Sequence, residues 1–341
     1  MSRSPSGGSR PDERFLVTGA LGCLGAWTVR TLVRAGASVV AFDRGGDPRR
    51  LAAIMSAEEL ASVAFATGDI TDLASFELVL DDYGITNVIH LAALQVPFCR
   101  ADPPLGALVN VVGTVNVFEA VKRRVERMAP LVYTGSVGMY AATDADLQSH
   151  RLEEAADAHP VNHYGVYKLA NEGTARIYWA EGQVSSVGVR PLTVYGAGRD
   201  QGMTSGPTAA IAAAVLGTPY EIGFGGGTLF QYAKDVGETV VLASRSTLRG
   251  AHVFNLGGIA VAIAEWIEAI EAAVPGARGL ISHAPTELPF PSEIAHERID
   301  VLGDVPVTPL EEGIGATADI YRRLAREGRL VPAEHGIPTP G

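Results

Sequence analysis

The sequence predicts an α/β fold with a doubly wound parallel sheet and a smaller C-terminal lobe. Short runs rich in β-branched residues alternate with longer helical patterns over the first two-thirds of the chain, and such alternation indicates βαβ units. After Pro191 the pattern changes to glycine-rich loops and shorter mixed elements. The chain has 341 residues, too many for one small core, and this length allows either one extended α/β unit or two closely packed domains.

The predicted elements follow from hydrophobic periodicity. Helical patterns show apolar residues recurring at three and four positions, whereas the short apolar runs between them have the length of buried strands. Right-handed crossovers place the helices on both faces of the sheet. The predicted strands are 14–18, 38–42, 62–66, 87–91, 130–134 and 185–190, and the predicted helices are 23–35, 73–83, 105–126 and 163–182.

The same pattern suggests how the chain is divided. Residues 1–12 are expected to form a disordered tail, because this segment is rich in Ser, Gly, Arg and Pro and has no apolar core. Residues 13–191, with part of 230–260, are assigned to the sheet domain. Residues 192–229 and 261–330 are assigned to the smaller lobe, which includes helical patterns at 207–216 and 309–327.

Composition and charge narrow the possible partners. The net charge is −11 and no basic stripe is present, which argues against nucleic acid. No apolar run reaches the roughly 18 residues that cross a bilayer. The two cysteines, Cys23 and Cys99, lie in no metal-ligand pattern and are read as reduced thiols of a cytoplasmic protein. We expect a small-molecule partner, no metal and no membrane.

A glycine loop follows the first predicted strand and opens the first predicted helix. Gly19 permits the tight turn, Gly22 lets backbone N–H groups approach a pyrophosphate, and Gly25 allows the helix to pack on the strand. This context indicates a Rossmann-type site for a dinucleotide. The loop residues predicted to contact it are Gly19, Leu21, Gly22, Cys23, Leu24 and Gly25.

Further cofactor candidates stand at the carboxyl ends of the next strands, where ligands of such sheets bind. Asp43 ends the second strand and can accept hydrogen bonds from ribose hydroxyls, which favours NAD over NADP, although the neighbouring Arg44 can partly reverse that preference. Asp69 can reach the adenine amine. The remaining candidates at these strand ends are Ile70, Leu91, Ala92 and Ala93.

Tyr164 and Lys168 are the predicted catalytic pair. They are four residues apart and share one helix face. A nearby ammonium lowers the pKa of a tyrosine, so that the phenol can act as an acid or base. Ser136 lies just beyond the fifth strand and can donate a hydrogen bond to the substrate oxygen, with Thr134 as the alternative donor. Together these residues predict proton transfer coupled to hydride transfer by NAD.

These motifs resemble the extended short-chain dehydrogenase/reductases, the NAD-dependent epimerase/dehydratase group. The resemblance spans about residues 13–325 and implies that Asn110 packs in the active-site helix and that residues 191–194, including Pro191, Thr193 and Val194, border the nicotinamide. It also implies that the smaller lobe supplies the substrate pocket and that the chain pairs as a homodimer. The matching motifs are TGxxGxxG at 18–25, Asp43, GDITD at 68–72, HLAA at 90–93, the run from Asn110, Ser136, YxxxK at 164–168, RPLTVYG at 190–196, Asp235 and FNLGG at 254–258.

Two departures from the family pattern concern the substrate. An arginine that grips the diphosphate of nucleotide sugars is replaced by Thr228, and a second is missing in the segment 287–291. Losing two phosphate ligands weakens diphosphate binding, so we expect a sugar, polyol or hydroxy acid without a nucleotide. Arg199 or Arg100 is expected to bind a carboxylate. The full set of predicted substrate residues is Gln95, Arg100, Ser136, Thr193, Arg199, Gln201, Met203, Thr204 and Gln231.

The sequence leaves three functions open. The first is a net NAD-dependent dehydrogenase, and the second is an epimerase of a sugar or nucleotide sugar that returns the hydride to the opposite face. The third is a non-catalytic NAD-binding regulatory protein. Because Ser136, Tyr164 and Lys168 are all present, an enzyme is the preferred interpretation.

Overall fold

The computed structural model describes residues 12–140, 151–154, 156–288, 290 and 292–337. The predicted N-terminal tail lies outside the described residues apart from Asp12. The strands are β1 (Arg14–Thr18), β2 (Ser38–Asp43), β3 (Ala64–Thr67), β4 (Asn87–His90), β5 (Leu131–Thr134), β6 (Arg151–Leu152), β7 (Ser186–Arg190), β8 (Thr193–Tyr195), β9 (Tyr220–Ile222), β10 (Gly227–Tyr232), β11 (Ala251–Asn255), β12 (Ile259–Ala262), β13 (Ile281–His283) and β14 (Glu293–Ile294).

The α-helices lie between these strands. They are α1 (Cys23–Arg34), α2 (Arg49–Ile54), α3 (Ala57–Ala61), α4 (Leu73–Asp82), α5 (Val96–Ala101), α6 (Pro103–Ala107), α7 (Gly113–Lys122), α8 (His163–Gly182), α9 (Gly206–Leu216), α10 (Ala233–Ser244), α11 (Ile263–Ala273) and α12 (Leu310–Arg326). A π-helical turn, Leu108–Val112, joins α6 to α7, and a 3₁₀ turn at Val137–Met139 follows β5.

A parallel sheet of seven strands forms the centre of the fold, in the order β11-β7-β5-β4-β1-β2-β3. Strand order reverses between β1 and β4, which creates the crevice where ligands of doubly wound sheets bind. The predicted fold class is thus confirmed. The six predicted strands are present with shifts of up to two residues, and β11 is an additional edge strand that was not predicted.

Helices cover the sheet on both faces. Successive residues of a strand point to opposite sides, so each strand contributes to two cores. Phe15 and Val17 of β1 join the core formed with α1, whereas Leu16 between them joins the core on the other face. The second core includes Phe76 of α4 and Phe118 of α7. Near-continuous apolar strands are the pattern expected of a parallel sheet covered by helices on both sides.

The predicted helix 105–126 is divided by the π-helical turn, and its two α-helical parts are α6 and α7. The run Pro103–Lys122 is long and apolar enough to span a membrane by length and composition, but half of it is buried inside the protein. The buried half packs on the sheet, as Phe118 shows by its contact with Tyr133 of β5. The run is therefore a core element of the fold.

Three smaller sheets lie outside the central one in the described part of the chain. Strands β12, β10 and β8 form one sheet, and β9 pairs with β13 and β6 with β14. The chain then returns to the main sheet: α10 packs along α1 at Gly237, where a Cβ atom would lie 2.9 Å from the backbone of Trp27, and β11 pairs with β7. The division into a sheet domain and a smaller lobe remains a prediction.

Candidate active site

A cleft of about 890 Å³ opens at the carboxyl ends of the central strands. It brings together most of the residues that the sequence singled out. The predicted residues that line it are Gly19, Leu21, Gly22, Cys23, Leu24, Gly25, Asp43, Arg44, Asp69, Ile70, Leu91, Ala92, Ala93, Gln95, Ser136, Tyr164, Lys168, Pro191, Val194, Arg199, Gln201, Met203 and Thr204.

The glycine loop is shaped by close backbone contacts. Gly19 has a φ of +66°, and a Cβ atom there would lie 2.7 Å from the backbone nitrogen of Ala92. A Cβ atom at Gly25 would lie 2.1 Å from the carbonyl oxygen of Gly19. Helix α1 begins after Gly22 without a side-chain cap, so its first N–H groups remain available to an anion. The loop thus fits a dinucleotide pyrophosphate.

Asp43 connects the second strand to this loop. Its Oδ2 accepts a hydrogen bond from the Leu21 N–H at 3.0 Å, and its Oδ1 accepts one from the Arg44 N–H at 2.8 Å. A carboxylate keeps further acceptor sites when it holds two bonds. Asp43 can therefore orient the loop and still accept a ribose hydroxyl.

His90, the last residue of β4, links this strand to β1 and α7. Its two ring nitrogens lie 2.8 Å from Thr18 Oγ1 and 3.0 Å from Thr114 Oγ1. Burial, with a smaller contribution from Lys168, lowers the pKa of His90 to about 3, so the ring is neutral at physiological pH. Thr18 also accepts the Ala92 N–H at 3.2 Å, which fixes the small-residue strand end beside Gly19.

The catalytic candidates meet in this cleft from two elements. Asn162 caps α8 by accepting the Gly165 N–H at 2.9 Å, which sets the start of the helix that carries Tyr164 and Lys168. The Lys168 ammonium donates to the Thr134 carbonyl at 2.7 Å and lies 5.6 Å from the centre of the Tyr164 ring. Ser136 follows β5, and its Oγ accepts the Gly138 N–H at 3.0 Å.

The electrostatics of the pair differ from the sequence expectation. Burial raises the pKa of Tyr164, and its hydrogen bond with Ser136 and the charge of Arg199 oppose this increase only in part. Burial also lowers the pKa of Lys168 to about 8. The predicted lowering of the tyrosine pKa is therefore not found, because desolvation outweighs the opposing effects of Ser136 and Arg199. Tyr164 carries its proton at neutral pH.

Three of the predicted ligand residues are buried and do not line the cleft. Thr193 and Gln231 are fully buried: Thr193 Oγ1 lies 2.9 Å from Thr228 Oγ1, and Gln231 accepts the Leu192 N–H at 2.7 Å. Asn110 is buried in the π-helical turn, where its side chain binds both the N–H and the carbonyl of Leu94, at 2.7 Å and 2.8 Å. Gln231 and Asn110 therefore hold the backbone of Leu192 and Leu94, which line the cleft. A direct contact of these three side chains with a ligand remains a prediction.

The remaining substrate candidates divide clearly. Arg199 faces the cleft, whereas Arg100 is exposed and lies outside it. In the segment 287–291, Phe290 lines the cleft, and residues 289 and 291 lie outside the described residues. Cys23 borders the glycine loop, and burial raises the pKa of its thiol to about 12, which keeps it protonated.

Sequence reasoning missed a charged network at one end of the cleft. Arg50 donates to both carboxylate oxygens of Asp200, at 3.1 Å and 2.7 Å, and to the carbonyl of Leu21 at 2.9 Å. Arg49 lies 3.7 Å from Asp200 and 2.5 Å from Glu334. No local motif marks these residues, because the network joins segments about 150 and 285 residues apart.

The comparisons with known proteins agree with this geometry. A model of the NAD dependent epimerase/dehydratase family matches residues 15–257. The UDP-glucose 4-epimerase of Mycolicibacterium smegmatis is 30% identical to this chain over 325 residues, which cover 92% of this chain and 100% of the relative.

Solved structures show the same architecture. A UDP-glucose 4-epimerase of Thermus thermophilus, crystallised with NAD, has a TM-score of 0.75 at 25% identity and covers 91% of this chain and 99% of its own. A partial consensus L-threonine 3-dehydrogenase has a TM-score of 0.77 at 21% identity and covers 92% of this chain and 99% of its own; at that identity the likeness concerns the fold alone. The predicted resemblance is confirmed: the chain belongs to the NAD dependent epimerase/dehydratase family, and it is an NAD-dependent enzyme of the extended short-chain dehydrogenase/reductase type.

Proposed function

We propose that the protein oxidises or reduces a hydroxyl or carbonyl carbon of a small polar substrate, such as a sugar, polyol or hydroxy acid, with NAD as hydride carrier. The observation that carries this proposal is the cleft itself. Ser136, Tyr164 and Lys168 line the same cavity as the uncapped glycine loop, so proton transfer and dinucleotide binding can occur at one site.

Each residue has a separate role in this proposal. The Tyr164 hydroxyl takes up or gives back the proton at the substrate oxygen, while the Ser136 hydroxyl donates a hydrogen bond to that oxygen. Lys168 supplies positive charge beside Tyr164 and holds ribose hydroxyls. NAD, when bound, supplies the hydride acceptor or donor at its nicotinamide. The glycine loop would hold its pyrophosphate, Asp43 its ribose and the cleft wall at Pro191 and Val194 its nicotinamide.

The small size of the substrate is supported by the position of Thr228. This residue stands where nucleotide-sugar members carry a phosphate-binding arginine, and it is buried against Thr193 rather than facing the cleft. A threonine hydroxyl in this place supplies neither charge nor a bidentate donor to a diphosphate. The proposal therefore favours substrates without a nucleotide.

Epimerisation is a second candidate function. The M. smegmatis relative, which covers nearly the whole chain, is a UDP-glucose 4-epimerase, and this supports an epimerase of a sugar or nucleotide sugar at least as well as a net dehydrogenase. Both reactions use the same proton transfer at Tyr164. They differ in whether the hydride leaves with NADH or returns to the other face of the substrate.

One assay separates these functions. The purified protein is incubated with NAD and a panel of free sugars, polyols, hydroxy acids and UDP-sugars, and both NADH and sugar stereochemistry are followed. NADH formation with a substrate that lacks a nucleotide supports the dehydrogenase. A change of stereochemistry at constant NADH supports the epimerase. Turnover of UDP-sugars alone rejects the small substrate, and NAD binding without any turnover supports the non-catalytic alternative.

A homodimer is proposed from an apolar outer surface. Leu108 and Val112 on the π-helical turn and Val166 and Ile177 on α8 are exposed, and the two segments pack side by side. Burying such a patch against a second copy removes apolar surface from water. Replacing Leu108 and Ile177 with Glu should give monomers by light scattering after gel filtration, whereas Val301→Glu at an exposed site elsewhere should not. A monomeric parent protein would reject the dimer.

A cytoplasmic location is proposed from the chemistry of the two cysteines. Cys23 and Cys99 are unpaired in the structure, and burial raises the pKa of both thiols. Reduced, unreactive thiols are compatible with the cytoplasm. Fractionation of expressing cells tests this location.

A further inference from the structure

The loop after β8 presents an arginine and a glutamine to the cleft on either side of Gly202. A Cβ atom at Gly202 would lie 2.3 Å from Gln95 Oε1 and 3.0 Å from Arg199 Nη2. Gly202 has a φ of +104°, in the region that favours glycine. The backbone is thus folded so that the two side-chain ends face each other across a position without a side chain. Both residues line the cleft.

These two side chains have unmet hydrogen-bonding capacity. Arg199 Nε and Gln95 Oε1 are shielded from solvent and have no hydrogen-bond partner among the described residues. The hydrogen bond from the Arg199 guanidinium to Thr204 Oγ1 is a long one, 3.3 Å from Nη2. A buried polar atom without a partner costs free energy, so the site is arranged for a group that is still to bind.

The guanidinium of Arg199 also forms no ion pair within the described part of the chain. The charge of the neighbouring Asp200 reaches it, but the Asp200 carboxylate is bound by Arg50. Arg49 and Arg50 line the same cleft, but their charges are matched by Asp200 and Glu334. Burial lowers the pKa of Arg199, and nearby groups, among them Asp200, oppose this only in part, which reflects the cost of keeping this charge away from water. An anion in the cleft would remove that cost.

The position of Arg199 indicates which kind of ligand would carry the anion. Arg199 lines the same cleft as Cys23, at the start of α1, and Tyr164. Its charge opposes the rise in pKa that burial causes at both of these groups. The charge is therefore felt both at the uncapped helix end and at the proposed proton donor. Arg199 needs an acceptor with negative charge, and Gln95 Oε1 needs a donor.

We propose that Arg199 and Gln95 form an oxyanion site that binds an acidic group and an adjacent hydroxyl of a cleft ligand. Two ligands carry this combination: a hydroxy-acid substrate, and the dinucleotide, whose diphosphate lies next to a ribose. The first source rests on the proposed function, whereas the second requires only that the cleft binds NAD.

Calorimetric titration distinguishes the sources without any need for turnover. The parent protein, Arg199→Met and Arg199→Lys are titrated with NAD. In a second arm the NAD-saturated proteins are titrated with gluconate and with sorbitol, which differ in the acidic group. Arg100→Met is the matched control, because it removes the same charge from an exposed position outside the cleft. Gly202→Ala is a second variant that narrows the site and keeps its charge.

The proposal predicts that Arg199→Met and Gly202→Ala weaken one ligand by about tenfold or more, that Arg199→Lys has an intermediate effect, and that Arg100→Met has none. A loss of NAD affinity identifies the diphosphate. A loss of gluconate preference over sorbitol at unchanged NAD affinity identifies the substrate acid. Unchanged NAD affinity together with no acid preference in the parent protein, or no effect of Arg199→Met in either arm, overturns the site.

Stability provides an independent check. Because Arg199 is buried and forms no ion pair among the described residues, Arg199→Met should unfold at the same urea concentration as the parent or at a higher one. A clear loss of stability with both affinities unchanged would mean that Arg199 has a structural role, and would also overturn the proposal. If the enzyme shows no turnover with any substrate, the NAD arm still decides whether the oxyanion site exists.

Discussion

Arg50 binds Asp200 through both carboxylate oxygens, at 3.1 Å and 2.7 Å, and so joins the segment after β2 to the loop that carries Arg199. The same guanidinium donates to the carbonyl of Leu21 in the glycine loop at 2.9 Å. The carboxylate is almost fully buried and the arginine largely so. One side chain therefore fixes the proposed cofactor side and the proposed substrate side of the cleft relative to each other.

Asp200→Asn should weaken this link. The charge of Arg50 loses its main partner, and we expect the free energy of unfolding to fall by about 1–3 kcal/mol, less than for a fully buried pair. Urea unfolding measures the change. Asp319→Asn is the control: Asp319 is 74% exposed in its pair with Arg322, and its loss should cost less than about 0.5 kcal/mol. Equal effects of the two changes would argue against the link.

Gly25→Ala should disrupt the glycine loop. The added methyl would lie 2.1 Å from the Gly19 carbonyl oxygen, so the start of α1 must move. We expect a loss of about 2–3 kcal/mol in unfolding free energy and weaker NAD binding by calorimetry. Gly315→Ala in α12 meets no atom within 4 Å and should instead stabilise by about 0.5–1 kcal/mol. Wild-type NAD affinity in Gly25→Ala would contradict the assigned role.

Much of the fold is readable because its signals are local. The alternation of apolar runs and helical patterns placed β1, β2 and α1 within a residue or so at each end, and α8 at the predicted residues. Strand β11 was missed because it is an edge strand whose first three residues are only partly buried, so its apolar pattern is weak. The π-helical turn has no local signal that separates it from the helices around it.

The candidate site was predictable where a residue follows a strand or belongs to a motif. Asp43 and Ser136 stand at strand ends, and both line the cleft. Thr193 and Gln231 were assigned to the substrate because their segments border the site, but the direction of each side chain depends on the pairing of β8 with β10. Contacts between distant segments, such as Arg50 with Asp200, cannot be read from spacing.

His90 should make the protein sensitive to acid. Its pKa is about 3 in the folded protein, against an ordinary value of 6.5, so the unfolded chain binds more protons between these values. The stabilisation is complete above pH 6.5 and is lost as the pH falls toward 3, by about 2 kcal/mol between pH 7 and pH 5. Urea unfolding of His90→Gln should show a shallower loss over this interval. Parallel pH profiles for the two proteins would refute this assignment.

Lys168→Met should be stabilising but should impair NAD binding. Lys168 is 3% exposed, and its pKa falls from 10.5 to about 8, so its charge costs free energy below pH 8. That cost declines as the pH rises from 8 toward 10.5. We expect the variant to gain about 1–2 kcal/mol at neutral pH, a gain that shrinks above about pH 9. Urea unfolding measures the gain in stability, and calorimetry measures the affinity for NAD. A variant that is less stable than the parent both at neutral pH and above about pH 9 would contradict the cost of burying this charge.

In the proposed reaction Tyr164 transfers the proton during hydride transfer in this cleft. The most direct test compares the turnover of Tyr164→Phe with that of Tyr178→Phe, using a substrate identified in the panel. Tyr178 lies on the same helix as Tyr164, and its hydroxyl donates to Glu119 of α7. We predict that Tyr164→Phe binds NAD with unchanged affinity and loses at least about 100-fold in turnover, while Tyr178→Phe keeps its rate. Full turnover by Tyr164→Phe would show that Tyr164 does not transfer the proton.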